Sequence, residues 1–178
     1  MTPTERQNAE VDSQPSTQSR PMFHRILRAD PDAVRATLTA IRERFRNDVS
    51  DDSLARLELV LAEVMNNITE HAPVACADRR AEGRPTLIHL CIVSHRCGLA
   101  CALTDDGVSL PSDCLRPRDL PQFAQQELPE GGFGWYLIQD LTQELCYYRE
   151  DQRNFLAFRV PFTDGVRKDA ARSRSTVS

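Results

Sequence analysis

Residues 57–72 read LELVLAEVMNNITEHA, and the stretch carries two patterns at once. Leu57, Leu61, Val64 and Ile68, extended backwards by Leu54, keep helical spacing and mark a core-facing stripe. Glu63, Asn67 and His71 recur every fourth residue. Each such step advances only about 40° around a helix, so the three share one polar face. Asn66 and Glu70 flank them. Two adjacent asparagines are poor mid-helix choices, because their amides compete for backbone hydrogen bonds. Local rules tend to be broken where a site needs it. An Asn carbonyl oxygen is a hard, neutral ligand suited to Mg²⁺, and a Glu one turn away can accept a proton. A solvated helix face made of ordinary polar residues is the plainer alternative for this segment alone.

Working outward, the helix starts near Ser50-Asp51-Asp52, and Pro73 stops it. Upstream, Asp30-Pro31 predicts an N-cap with proline at the first helical position. Val34, Leu38, Ile41 and Phe45 then give a helix from about Pro31 to Arg46. Phe23 to Arg28 alternates loosely and predicts a strand. Downstream, Ala75 to Pro85 is charged and loop-like. Thr86 to Ser94 predicts a strand that turns at Arg96-Cys97-Gly98 into a partner, Leu99 to Thr104. From Asp105 to Glu130, prolines at 111, 117, 121 and 129 break every period, and a loop this long inside a compact domain tends to be functional. A short helix after Gly134 and two strands, Leu145 to Glu150 and Asn154 to Val160, close the domain. The order predicts an α+β fold: a two-layer α/β sandwich whose mixed, mostly antiparallel sheet is covered on one face by helices.

Composition bounds the function classes. The 178 residues are 40% hydrophobic and 27% charged, a balance that suits one folded domain. The ends differ: residues 1–20 and 163–178 are polar and read as a disordered arm and a disordered basic tail, leaving 21–162 as the domain. A net charge of -4 without a long basic block argues against clamping a nucleic-acid backbone. No apolar run reaches the roughly 20 residues a membrane helix needs, and no apolar leader opens the chain, so a cytoplasmic setting is expected. None of the six cysteines forms a CxxC pair, and their spacing completes no zinc set. The expectation is reduced, mostly buried thiols.

Two further motifs bear chemistry. Asp105-Asp106-Gly107 ends a strand. A carboxylate there can accept from an exocyclic amine such as adenine's, and the glycine lets backbone approach a flat ring; a plain Asp-Gly turn is the alternative. Glu130-Gly131-Gly132-Phe133-Gly134-Trp135 precedes a helix. Glycines at a helix N-terminus expose N–H groups where the dipole favours anions, which makes a phosphate cradle; a glycine hinge is the alternative. The run is neither a dinucleotide fingerprint, since Leu137 stands at the last glycine's place, nor a Walker A loop, since no Lys-Ser/Thr pair follows.

Taken in order, these motifs resemble the ATP-binding domain of the GHKL superfamily, shared by histidine kinases, gyrase-type ATPases and Hsp90, and more closely the anti-sigma factor serine kinases of bacterial partner-switching systems. LELVLAEVMNNITEHA resembles that family's N-box, LTDDG its first glycine box, and GGFGWYLIQDLTQELCYY with RNFLAFRV its second glycine box and closing strands. The resemblance covers about Phe23 to Val160. It implies a Bergerat-type fold binding ATP and Mg²⁺. Asn67 would hold Mg²⁺, Glu63 would activate the attacking hydroxyl, and His71 would lie near the phosphates. Asp105 would read the adenine amine beside Gly107. Gly131, Gly132 and Gly134, with Phe133 and Trp135 in the same run, would cradle phosphates, and 111–130 would be the ATP lid, with Arg116 and Arg118 in it. The implied acceptor is a serine on a STAS-type anti-anti-sigma protein that competes with a sigma factor for the kinase; the family also implies a homodimer. No phosphoacceptor histidine helix precedes the domain. The sequence departs from the family at Val108-Ser109-Leu110-Pro111, where Pro-Phe-Asp is usual, at Trp135, where a smaller residue is usual, and at Gln139, which replaces a common basic residue. A binding module that holds its partner without phosphoryl transfer, or an output ATPase acting outside sigma control, are the competing readings.

Overall fold

A computed structural model of the chain describes residues 22–71, 85–110 and 133–163. Five strands and three helices follow in the order β1 (Met22–Arg28), α1 (Pro31–Phe45), α2 (Asp51–His71), β2 (Leu87–His95), β3 (Gly98–Asp105), α3 (Phe133–Leu141), β4 (Gln143–Glu150) and β5 (Arg153–Pro161). The sheet order is β1-β2-β3-β5-β4, and every pairing is antiparallel. The α+β sandwich stands; the mixed sheet expected from the sequence is instead antiparallel throughout the described residues. The predicted disordered arm and tail, Pro73, the lid with Arg116 and Arg118, and the Gly131-Gly132 pair lie outside the described residues.

Local chemistry explains the helix entry. Asp30 is extended (φ -138, ψ 152), and its Oδ1 accepts from Ala33 N at 2.8 Å, satisfying one of the donors that every helix start leaves open. Pro31, which has no N–H, sits where none is needed. Ser50 plays a similar part for α2: its Oγ accepts from Ser53 N at 3.3 Å.

Alternation sorts the sheet into two unlike faces. Ile88, Leu90 and Ile92 of β2, Leu99, Cys101 and Leu103 of β3, and Leu156, Phe158 and Val160 of β5 are all buried. They meet Ile41 and Phe45 of α1, Leu57, Leu61, Val64 and Met65 of α2, and Ile138 of α3 in one core. No helix of the described residues covers the opposite face: Ile26, Leu87 and Tyr148 are exposed there, and Tyr148 stacks on Phe155 at 4.6 Å. This sorting corrects the cysteine expectation. Of the four described, only Cys101 is buried; Cys91 is half-buried, and Cys97 and Cys146 are exposed. Register places Cys91 opposite Ala102 and Cys146 opposite Ala157 on the uncovered face, while Cys97 lies in the β2–β3 turn. All four are free thiols, as expected.

β5 and β4 end the domain as a hairpin. Glu150 pairs with Arg153 across a two-residue turn in which Asp151 and Gln152 both have positive φ, the conformation such tight hairpins require. Leu61 lies fully buried between α2 and the sheet. Leu61→Ala leaves a cavity there and is expected to lower stability by about 2–5 kcal/mol in urea unfolding, because the surrounding core cannot close over it; a change below about 1 kcal/mol would show that α2 is not a rigid part of the core.

Candidate active site

α2 is amphipathic in a way that decides the site. Its apolar stripe is pinned to the sheet, so the Glu63–Asn67–His71 face turns to the helix edge and lines a cleft of about 710 Å³. Asp105 and Gly107, at the end of β3, lie on the same cleft, as do Gly134 and Trp135 of α3. Three motifs far apart in the chain are thus brought together. His71, the last residue of α2, is exposed at the rim.

The wall formed by α2 and α3 is closely fitted. Gly134 is not in a loop before the helix, as the sequence suggested, but in the first turn of α3. A Cβ placed there would stand 2.5 Å from Glu63 Oε2 and 3.8 Å from Asn67 Nδ2. The glycine therefore lets the Glu63 carboxylate stand where it does against the opening turn of α3, whose N–H groups have no intrahelical partners, while the Asn67 amide lies at ordinary contact distance. Asn67 Nδ2 is buried without a hydrogen-bond partner. Leaving such a donor unmet costs about 1–3 kcal/mol, a cost that an oxygen-rich ligand in the cleft removes. These residues fit a magnesium–phosphate group: the Asn67 amide would have an NH₂ for a phosphate oxygen and a carbonyl for the ion, with the Glu63 carboxylate nearby. Among the described residues no cluster of three or more His, Cys, Asp or Glu forms a metal cage. Trp135 is buried, joined to the core and exposed to the cleft along one side. The side chain of Phe133 lies outside the described residues, as do Gly131 and Gly132.

The facing wall is polar and buried. Asp105 Oδ1 accepts from Gly107 N and from Asn154 Nδ2, each at 2.8 Å. Gly107 serves this carboxylate directly, since a Cβ on it would lie 2.8 Å from Asp105 Oδ1. Desolvation pushes the Asp105 carboxyl above its ordinary 3.8, opposed by the Asn154 and Gly107 hydrogen bonds and by the more distant charge of Arg149, while Asp106 adds to the rise. Asn154 and Tyr147, which complete this wall, and Arg149, which donates to Asn154 Oδ1 from behind them, were not singled out from the sequence. One signal was available: Asn154 interrupts the apolar set Leu156, Phe158 and Val160 at an inward position of β5.

The family comparison follows this geometry. The sequence model of the histidine kinase-like ATPase domain matches residues 27–160. The chain belongs to that family. No curated protein matches it. The histidine kinase-like ATPase domain is an ATP-binding domain, and the match runs from the end of β1 through β5, enclosing the whole cleft. Among the described residues no helix is long and apolar enough to cross a membrane.

Two expectations follow. Because folding raises the Asp105 carboxyl, the native state holds more protons than the unfolded state above pH 3.8, and stability falls as pH climbs through that window and stays lowered at neutral pH. Asp105→Asn keeps an oxygen for both donors and removes the charge. It should therefore melt at a higher temperature than the parent at pH 7, with the gap closing below pH 3.8; a lower melting temperature at pH 7 would show the carboxylate to be a stabilising group. Gly134→Ala should fold normally, since Glu63 is a flexible side chain, yet displace its carboxylate. A crystal structure of that variant with Glu63 unmoved would contradict the fit described.

Proposed function

We propose that this ATPase domain is a serine protein kinase that also binds a sigma factor, and that its phosphoryl acceptor is a STAS-type anti-anti-sigma protein. One observation carries the catalytic part: Glu63, the partnerless Asn67 amide and the opening of α3 converge on one wall of the cleft, opposite the buried Asp105. Phosphoryl transfer asks mainly for positioning and charge stabilisation, so a phosphate cradle, a metal ligand and a proton acceptor suffice. The partner assignment rests on the motif resemblance alone, as does a homodimer.

In this reading Asp105 Oδ2 accepts from the adenine amine, since the hydrogen bonds described for that carboxylate fall on Oδ1. Asn67 presents its carbonyl to Mg²⁺ and its NH₂ to a phosphate oxygen. The ion, when bound, neutralises charge on the phosphates. The N–H groups at the start of α3 hold phosphate oxygens beside Gly134. Glu63, one helical turn from Asn67, takes the proton from the acceptor serine as its oxygen bonds to the γ-phosphorus and the bond from that phosphorus to the β-phosphate oxygen breaks, with ADP leaving. His71 stands at the phosphate end of the cleft.

The reading is tested by incubating the protein with [γ-³²P]ATP, Mg²⁺ and a cognate STAS protein. Label should appear on a partner serine and drop at least about 100-fold in Glu63→Gln, the range in which a positioned general base acts. Asn67→Ala should weaken Mg-ATP binding at least about tenfold in calorimetry without unfolding the chain. Tight ATP binding with no transfer would replace the kinase by a regulatory module that sequesters its partner. No heat with any adenine nucleotide would remove the nucleotide site altogether.

A further inference from the structure

Asn154 is buried at 4% exposure, and its side-chain amide is fully used. Its Nδ2 donates to Asp105 Oδ1 and to the Val108 carbonyl, each at 2.8 Å. Its Oδ1 accepts from Tyr147 OH at 2.8 Å and from Arg149 at 2.6 Å. Two donors and two lone pairs are all a carboxamide has, so none is left for a ligand. The orientation is also forced. A guanidinium can only donate, so the amide oxygen must face Arg149 and the NH₂ must face Asp105. Tyr147 is fixed in the same sense: its oxygen accepts from Leu110 N at 3.0 Å, and its proton goes to Asn154. Arg149 further donates to the Gly107 carbonyl at 3.0 Å. One buried amide thus joins the carboxylate to three backbone points of the 107–110 turn and to two side chains of β4.

This arrangement has a chemical consequence for Asp105. Both donors it receives from the protein land on Oδ1. The carboxylate cannot rotate without breaking two bonds, and its other oxygen is held as the acceptor for whatever enters the cleft. Resting on the nucleotide reading above, we propose that Asn154, itself fixed by Tyr147 and Arg149, is the positioning residue that holds Asp105 as an acceptor toward the base and so sets the preference for a 6-amino over a 6-oxo purine. An amine donates to such an oxygen, whereas the carbonyl of guanine meets it acceptor to acceptor.

The test compares ATP and GTP affinities by calorimetry, with quenching of Trp135, the chain's one tryptophan, as a second readout, and follows melting to confirm folding. Asn154→Leu should lower the ATP-over-GTP ratio by about two- to tenfold, the value of one or two neutral hydrogen bonds. Arg149→Met, whose residue is exposed and does not line the cleft, should lower it in the same direction, and it carries the test if Asn154→Leu does not fold. A residue acting through Asp105 leaves a signature that mere loosening does not: in an Asp105→Asn background, Asn154→Leu or Arg149→Met should change the ratio no further. An unchanged ratio in folded Asn154→Leu or Arg149→Met overturns the proposal, as does an additive effect in the double variant. Those results leave the nucleotide reading standing so long as Asp105→Asn alone abolishes the preference. A parent protein with no preference for ATP removes the purine assignment and this proposal with it.

Discussion

The fold depends on how α2 is seated. Leu57, Leu61, Val64 and Met65 are held against the sheet by the burial of large apolar side chains, each worth about 1.5–3 kcal/mol. That stripe fixes the rotation of the helix about its own axis. Because 3.6 residues make a turn, fixing one face fixes all others. Glu63 and Asn67 therefore reach the cleft edge as a consequence of packing, at no added cost in ordering their backbone. The same seating brings α3 against α2 closely enough that a Cβ at position 134 would stand 2.5 Å from Glu63 Oε2 and displace that carboxylate. Core and site are consequently one construction: loosening the apolar contact would rotate the polar face away from Gly134.

The second wall is built on a different principle. It uses strand register instead of helical phase. Asp105 pairs directly with Asn154 across the β3–β5 ladder, 49 residues away in sequence. Side chains opposite one another in a ladder share a face, so a carboxylate and an amide meet in the sheet interior. Both sit at the end of the strands, where the apolar layer gives way to the cleft. A buried carboxylate in such a place needs donors, and Asn154 and Gly107 supply them. Tyr147 and Arg149 enter from β4 because that strand pairs with β5 in a register that sets Tyr147 opposite Leu156 and Arg149 opposite Asn154.

What was legible in the sequence tracks this division. The Asp30 cap, the apolar stripe of α1 and the two faces of α2 are local patterns, and the structure carries each of them where periodicity put it. β2 and β5 were legible as strands, but with apolar residues on both alternating sets of β2 the sequence did not say which face turns inward. Gly134 was misplaced because a run of three glycines in four residues reads as a break, and nothing local says that a carboxylate from α2 will stand where its side chain would be. The Asp105 network was invisible for a like reason: Asn154 acquires its meaning only from a pairing partner on another strand. The cysteines erred differently. Cys91 alternates within an apolar run, and its place with Cys146 on the sheet face away from the helical core, which no local pattern marks, leaves Cys146 exposed and Cys91 half-covered.

The two walls also share an energetic character. Asn67 carries a buried donor without a protein partner, and Asp105 carries a charge that burial opposes. Both raise the free energy of the empty fold. Elsewhere, among the described residues, only Arg159 Nε is another buried side-chain atom left without a partner. Unfavourable groups gathered in one cleft are hard to explain as scaffolding, because an Ala or a Leu would serve the fold better in either place. They make sense where a ligand brings what is missing: an amine donor for one wall and an anionic oxygen for the other. A nucleotide carries both at the ends of one molecule. In the proposed reading a nucleotide answers both, its base amine meeting the spare acceptor on β3 and its phosphates the orphaned donor on α2, whereas a free base or a free phosphate satisfies only one.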